Sequence, residues 1–114
     1  MGRDLSFWKS NNKAVMDDKS IYTALSNEQY LEIVDELPIL QIQNDFNSVF
    51  KEWENNNNQF YERGNESFDL MVTKQFVRAD CYEMTESSMN KIIDIMIEYD
   101  CPLYDSMIDI RFDE

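Results

Sequence analysis

The segment Ser67–Met84, SFDLMVTKQFVRADCYEM, constrains the fold more than any other part of the chain, because two short runs in it alternate between apolar and polar residues. The polar pair Thr73-Lys74 separates the two runs. The residues predicted to point inward are Phe68, Leu70, Val72, Val77, Ala79 and Cys81. Alternation with a period of two across a short connection predicts an antiparallel β-hairpin with one face packed on a core.

Similar alternation predicts strands near both ends of the chain. Arg3–Lys9 is predicted as the first strand. Ser106–Asp113 is predicted as the last strand, with three inward side chains: Ile108, Ile110 and Phe112. Gln59–Glu62 fits a short edge strand, which a turn at Gly64 joins to the hairpin, because glycine tolerates the positive φ of a tight turn.

Four helices are predicted from capping residues and apolar spacing. Asp17 or Asp18 can cap a short helix that ends at Leu25, and Ser26 with Gln29 resembles a capping box for a second short helix. Apolar residues spaced by three and four predict two longer amphipathic helices, the second with Thr85 as its N-cap. The first short helix is predicted to run from either cap through Leu25, and the other three have predicted bounds of Asn27–Glu36, Ile39–Glu54 and Glu86–Asp100.

The order of these elements predicts one α+β domain over residues 1–114. We expect an antiparallel-dominated sheet of four to five strands, with both long helices on one face. A ferredoxin-like arrangement with added short helices fits this order. The opposite face of the sheet would then be open.

The open face predicted in this way mixes aromatic, methionine and charged side chains. Its members are Asp4, Ser6, Trp8, Asp69, Met71, Phe76, Arg78, Asp80, Tyr82, Met107, Asp109 and Arg111. Trp, Tyr and Arg dominate binding energy at protein interfaces, so this composition indicates a partner-binding surface. An alternative is that the short helices or a second copy of the chain cover this face, with Arg78 and Arg111 paired to neighbouring aspartates.

A second candidate surface is acidic. Four carboxylates would share one side of the predicted helix Asn27–Glu36: Glu28, Glu32, Asp35 and Glu36. Asp94 and Glu98 form a similar pair on the last predicted helix. The alternative is an ordinary solvated face, which is the more common role for a single charge cluster.

The charge balance narrows the class of partner. The chain carries 10 Lys and Arg against 23 Asp and Glu, giving a net charge of −13. Such a field repels nucleic acid and anionic membranes and attracts basic proteins. RNA-binding sheets also display aromatic side chains, but their phosphate ligands need basic surroundings. We therefore expect a protein partner and no nucleic acid or membrane.

Residues for catalysis and metal binding are scarce. The chain has no histidine, two glycines and two cysteines, Cys81 and Cys101. We expect no enzymatic activity, no cofactor and no metal, and a carboxylate-based hydrolase remains a distant alternative. The two cysteines fit buried thiols of a reducing compartment, and the chain shows no signal peptide or membrane span. A cytoplasmic location is expected.

Three segments resemble a group of small bacterial proteins: GRDLSFWK, TKQFVRADCYEM and MNKIIDIMIEYDCPLYDSMIDIRFDE. Members of that group look like immunity proteins of polymorphic toxin systems, including contact-dependent growth inhibition. The resemblance implies a small cytoplasmic protein that binds the C-terminal domain of one cognate toxin and neutralises it. The acidic, aromatic-bearing surface adds the expectation that this toxin is a basic nuclease, whose active site or substrate cleft the protein occludes. The resemblance supplies no binding residues for this chain. The alternative function is a non-catalytic interaction or regulatory module that forms a homodimer.

Overall fold

A seven-stranded antiparallel sheet organises the protein, and its strands follow the order β2-β3-β4-β5-β1-β6-β7. The structure is a computed structural model that describes residues 2–11 and 16–112. The strands are β1 Gly2–Phe7, β2 Glu54–Asn56, β3 Phe60–Arg63, β4 Glu66–Val72, β5 Val77–Tyr82, β6 Leu103–Asp105 and β7 Ile110–Phe112. The helices are α1 Asp18–Ser26, α2 Ile39–Val49 and α3 Glu86–Ile97.

The larger hydrophobic core lies between one face of the sheet and helices α2 and α3. The inward residues of the predicted hairpin lie in it or pack against it, and α2 contributes Ile42 and Phe46 while α3 contributes Ile92 and Met96. The ring of Tyr61 stacks on that of Phe68 with centroids 4.7 Å apart. The predicted α+β class and the placement of two helices on one face are therefore confirmed.

The second face of the sheet is partly covered, contrary to the open face that the sequence predicts. Helix α1 packs Ile21 and Leu25 against Trp8, Phe76 and Tyr104. A loop after α1 adds Val34 to this smaller core, and Leu31 and Ile33 pack against it. The protein thus has helices on both sides of the sheet.

Two predicted helices differ from the structure. Asn27–Glu36 is not a helix, and Glu28 in it has a φ of +62°. The segment instead forms a loop whose Asp35 amide donates a hydrogen bond to the Lys9 carbonyl. Helix α2 ends at Val49, five residues before the predicted end, and β2 begins at Glu54. With 11 and 12 residues, α2 and α3 are of average length.

The strands also differ from the prediction in number and pairing. The predicted last strand, Ser106–Asp113, begins with a turn: Ser106–Asp109 connects β6, which lies before the predicted bounds, to β7 in an antiparallel hairpin. The side chains of Ile108, Ile110 and Phe112 are exposed, so the prediction that they point into a core is wrong. Asp113, also predicted in that strand, lies outside the described residues. All neighbouring strands are antiparallel, so the sheet lacks the parallel pairing of ferredoxin-like βαβ units across the described strands.

Candidate functional site

Three aspartates form a row across the middle of the sheet, on the face that α1 only partly covers. Asp4 of β1 lies opposite Asp80 of β5, and Asp80 lies opposite Asp69 of β4. Directly opposed residues in antiparallel strands have Cβ atoms about 4.5–5.5 Å apart. We call Asp4, Asp80 and Asp69 the acidic row. The hairpin register and the alternation of β1 place all three carboxylates on one face.

The three carboxylates differ in their hydrogen-bond partners. Asp4 accepts hydrogen bonds from the hydroxyls of Tyr22 on α1 and Ser106 in the β6–β7 turn. Asp80 forms an ion pair with Arg78, whose Nε lies 3.2 Å from Asp80 Oδ1. No described residue donates a hydrogen bond to the side chain of Asp69. Asp69 is therefore the member of the row with no partner to offset its charge within residues 2–11 and 16–112.

The electrostatic surroundings of Asp80 disfavour its charged form. Burial raises the pKa of the Asp80 carboxyl above its ordinary value of 3.8, and the charges of Asp4 and Asp69 raise the pKa further. The Arg78 guanidinium lowers the pKa but does not reverse the shift. Three partly buried carboxylates with one nearby arginine form a site that would gain stability from an additional cation.

The structure buries three residues, two of them aromatic, that the sequence assigns to an exposed interface. Trp8 and Phe76 are fully buried under α1 and the following loop, with ring centroids 6.3 Å apart. Ser6 is also fully buried. The face assignment is right, since these residues point away from α2 and α3, but the prediction that they are exposed is wrong. Trp8 and Phe76 pack in the smaller core.

The two arginines of the predicted interface contact other parts of the protein, and Arg78 pairs with a neighbouring aspartate, as the alternative interpretation proposed for both. Arg78 donates a hydrogen bond to Ser26 Oγ at 3.1 Å, in addition to pairing with Asp80. The Arg111 guanidinium carbon lies 4.7 Å from the ring centroid of Trp8, and Arg111 also donates to the Trp8 carbonyl. Arg111 therefore fixes β7 against the buried tryptophan.

The other predicted interface residues occupy several positions around the acidic row. Tyr82 lies beside the row at the end of β5, and its side chain is 42% exposed. Met71 lies opposite Arg78 and packs against the smaller core. Asp109 is exposed in the β6–β7 turn and accepts a hydrogen bond from Tyr104, while Met107 is 70% exposed. Tyr82 and the three aspartates are the predicted site residues that remain accessible together.

The second predicted acidic surface lies on a loop. Glu28, Glu32 and Glu36 are exposed, and Asp35 is half-buried. Gln75 holds this loop: its amide group donates to the carbonyls of Leu31 and Val34 and accepts from the Leu31 amide. The prediction that the four carboxylates share one side of a helix is wrong, because the segment is a non-helical loop with turns at Asn27-Glu28 and Glu32-Ile33.

Three residues that shape the site were absent from the sequence prediction. Tyr22 and Ser106 hold Asp4, and Gln75 holds the loop that covers Trp8 and Phe76. A polar residue at a hairpin connection, as Gln75 is, gives no sequence signal of burial, because connections are usually exposed. Tyr22 adjoins Ile21, a buried residue of α1. This proximity is the one sequence feature that could have predicted Tyr22 to lie near the sheet.

Fold and surface together define the class of protein. It is a small α+β protein with helices on both sides of an antiparallel sheet and a row of carboxylates on the accessible part of one face. No protein-family model matches the chain, and no curated protein matches it. Within the described ranges, no helix has the length and apolar character to cross a membrane. The same residues contain no group of three or more His, Cys, Asp or Glu side chains that could hold a metal ion.

Proposed function

We propose that this protein is an immunity protein that binds a basic toxin domain and neutralises it. The observation that carries the proposal is the acidic row, in which Asp69, Asp80 and Asp4 lie side by side on three neighbouring strands. Like charges directly opposite each other destabilise a sheet. A basic partner would offset the repulsion between these carboxylates when it binds, so the acidic row would favour binding of such a partner.

The whole-chain charge supports a basic partner in the same way. A net charge of −13 accelerates the encounter with a positively charged protein and makes the rate of association depend on salt. A nuclease fits this description because its cleft must attract phosphates, which requires Lys and Arg side chains. Carboxylates of the row and loop acids such as Glu32 would pair with those cations, while Tyr82 would supply apolar contact area.

Neutralisation would follow from occlusion. A protein that occupies a substrate cleft prevents substrate binding without catalysis of its own. Specificity would depend on the individual charge pattern, because a mismatched buried charge is costly. We propose a cytoplasmic location, where the protein would intercept the toxin domain.

A growth assay tests the function directly. The C-terminal domain of the protein encoded next to this chain is expressed in bacteria with and without this protein. Rescue from toxicity supports the proposal. Toxicity without rescue, or one-to-one binding whose association rate does not fall as salt rises, contradicts it.

Paired variants then locate the surface. Asp69→Asn removes one charge from the acidic row, and Glu52→Gln removes one from an exposed turn after α2. We expect the first variant to weaken toxin binding about tenfold and the second to change it little. Equal effects of the two variants would mean that net charge alone, and no defined surface, controls binding.

A regulatory module that dimerises through the second face is less well supported. That alternative requires an accessible aromatic surface, and Trp8 and Phe76 are fully buried by α1 and the following loop of the same chain. Sedimentation of the isolated protein separates the two functions, since the proposed immunity protein acts as a one-to-one binder.

A further inference from the structure

Sulfur-containing side chains gather around one cleft of the protein. The chain has seven methionines and two cysteines. Four of these residues line a cleft of about 260 Å³ beside the first residues of β1: Cys81, Met84, Met89 and Met107. Cys81 lies in β5, Met84 follows that strand, Met89 lies in α3, and Met107 lies in the turn between β6 and β7. The fold therefore brings Met107 to three residues from which most of α3 and β6 separate it in sequence.

Packing explains only part of this arrangement. Met84 and Met89 are half-buried and pack against the larger core, where methionine commonly fills irregular space. Met107 is 70% exposed, so its side chain gains little from burial. An exposed methionine in a turn that lines the cleft leaves its thioether available to a ligand.

The charges at the cleft are compatible with a cation. Arg3 lines the cleft, but its guanidinium group is paired with Asp105, with Nη2 and Oδ2 2.5 Å apart. Glu83 also lines the cleft and is exposed. Because the charges of Arg3 and Asp105 offset each other, Glu83 gives the cleft a net negative charge.

The chemistry of sulfur limits the ion that such a cleft could hold. Thioethers are soft ligands that favour Cu(I), whereas Mg²⁺ and Ca²⁺ prefer oxygen. Burial raises the pKa of the Cys81 thiol to about 12, so this thiol stays neutral and is a poor ligand. Methionine has three rotatable bonds, which allows several thioethers to turn towards one ion. The described residues hold no group of three or more His, Cys, Asp or Glu suited to a metal, but thioethers are a separate class of ligand.

We propose that Met84, Met89 and Met107 form a binding site for one Cu(I) ion. Their three thioether sulfurs supply the ligands, and Cys81 lines the cleft as a neutral thiol. A bound ion would tether the β6–β7 turn to the segment at the start of α3. The Ser106 hydroxyl of that turn donates to Asp4, so the ion would also stabilise the turn that holds one end of the acidic row.

A competition assay tests the site with the metal alone. The protein is titrated under nitrogen into the coloured Cu(I) complex of bicinchoninate, with ascorbate present to keep the copper reduced. We expect one ion per chain with a Kd of about 1 µM or below. Because thioethers carry no proton to lose, the Kd should be the same at about pH 6 and about pH 8. Failure to withdraw Cu(I), or an affinity that rises steeply with pH as thiolate ligands require, would overturn the proposal.

Conservative variants identify the ligands. Met107→Leu keeps most of the side-chain volume at an exposed position and should weaken Cu(I) binding at least about tenfold. Met71→Leu, at a methionine that packs against the smaller core on the other face of the sheet, is the matched control and should leave the Kd unchanged. The double variant Cys81→Ala, Cys101→Ala should bind as the wild-type protein does. Equal weakening by Met71→Leu, or loss of binding in the double variant, would overturn the thioether site.

Methyl NMR locates the ion. In protein with ¹³C-labelled methionine methyl groups, one equivalent of Cu(I) should shift the signals of Met84, Met89 and Met107. The signals of Met16, Met71 and Met96 should stay in place. Shifts at these last three methionines that equal or exceed those at the cleft would overturn the assignment. These measurements need no toxin, so the Cu(I) site and the proposed function can fail independently.

Discussion

Asp69 and Asp80 lie directly opposite each other on β4 and β5, and among the residues that the structure describes only Asp80 of the two has a cationic partner. Because burial and two neighbouring aspartates raise the pKa of Asp80, the folded protein holds this carboxylate at a cost in free energy. A protein that keeps such a pair on its surface sacrifices stability there. Mutations can therefore separate residues that stabilise the fold from residues available to a partner.

Replacing Asp69 should stabilise the isolated protein. Asp69→Asn removes a like charge opposite Asp80, so the free energy of unfolding should rise by about 0.2–1 kcal/mol in urea titrations. The same change should lower the pKa of Asp80, which carboxyl NMR titration can measure. Glu52→Gln should leave that pKa unchanged. A destabilised Asp69→Asn protein would show that the acidic row stabilises the fold.

Trp8 and Tyr82 should respond differently to truncation. Trp8→Ala leaves a large cavity in the smaller core and should cost about 3–5 kcal/mol in unfolding free energy. Tyr82→Ala affects a side chain that is 42% exposed and should cost less than about 1 kcal/mol. In the toxin assay, Tyr82→Ala should weaken binding with the fold intact. A Trp8→Ala variant with the same urea midpoint as the wild-type protein would contradict the burial of Trp8 against α1.

Gln75 should be essential for the loop between α1 and α2. Gln75→Ala leaves three backbone groups of Leu31 and Val34 without their side-chain partner, so the unfolding free energy should fall by at least about 2 kcal/mol. Hydrogen exchange should also accelerate at Leu31. Gln41→Ala, at an exposed position of α2, is the control and should have little effect. Unchanged exchange at Leu31 would contradict this account of the loop.

The two thiols should be unreactive in the folded protein. Burial raises the pKa of Cys81 and of Cys101 from 9.0 to about 12, so almost no thiolate exists near neutral pH. Iodoacetamide should therefore label both cysteines only as fast as the protein unfolds. Rapid labelling of either cysteine without denaturant would contradict its burial.

The same pKa shifts predict the effect of alkali on stability. A folded pKa above the unfolded value means that the contribution of the neutral thiols is complete below pH 9 and is lost as pH rises towards 12. Tyr99 should add to this loss of stability in alkali, because burial and its hydrogen bond to Asp45 raise its pKa to about 12. Urea midpoints should fall with rising alkaline pH. They should fall less steeply in the double variant Cys81→Ala, Cys101→Ala.

The sequence by itself determined the elements whose signals are local. The alternation in Ser67–Met84 predicted the hairpin and its inward face, and Asp17 and Thr85 act as N-caps of α1 and α3. The turn at Gly64 has the expected positive φ of 62°. These predictions hold because side-chain alternation, capping and turn chemistry depend on residues only a few positions apart.

Only the tertiary structure decided what covers each face. Trp8 and Phe76 point to the predicted side of the sheet, but α1 and the loop held by Gln75 bury them. That loop contains a segment predicted as a helix, and Gln75 is 44 residues from Leu31 in the chain. Conversely, Ile110 and Phe112 alternate as core residues do, yet no described helix covers them fully. Periodicity encodes the direction of a side chain, whereas burial depends on contacts between segments far apart in sequence.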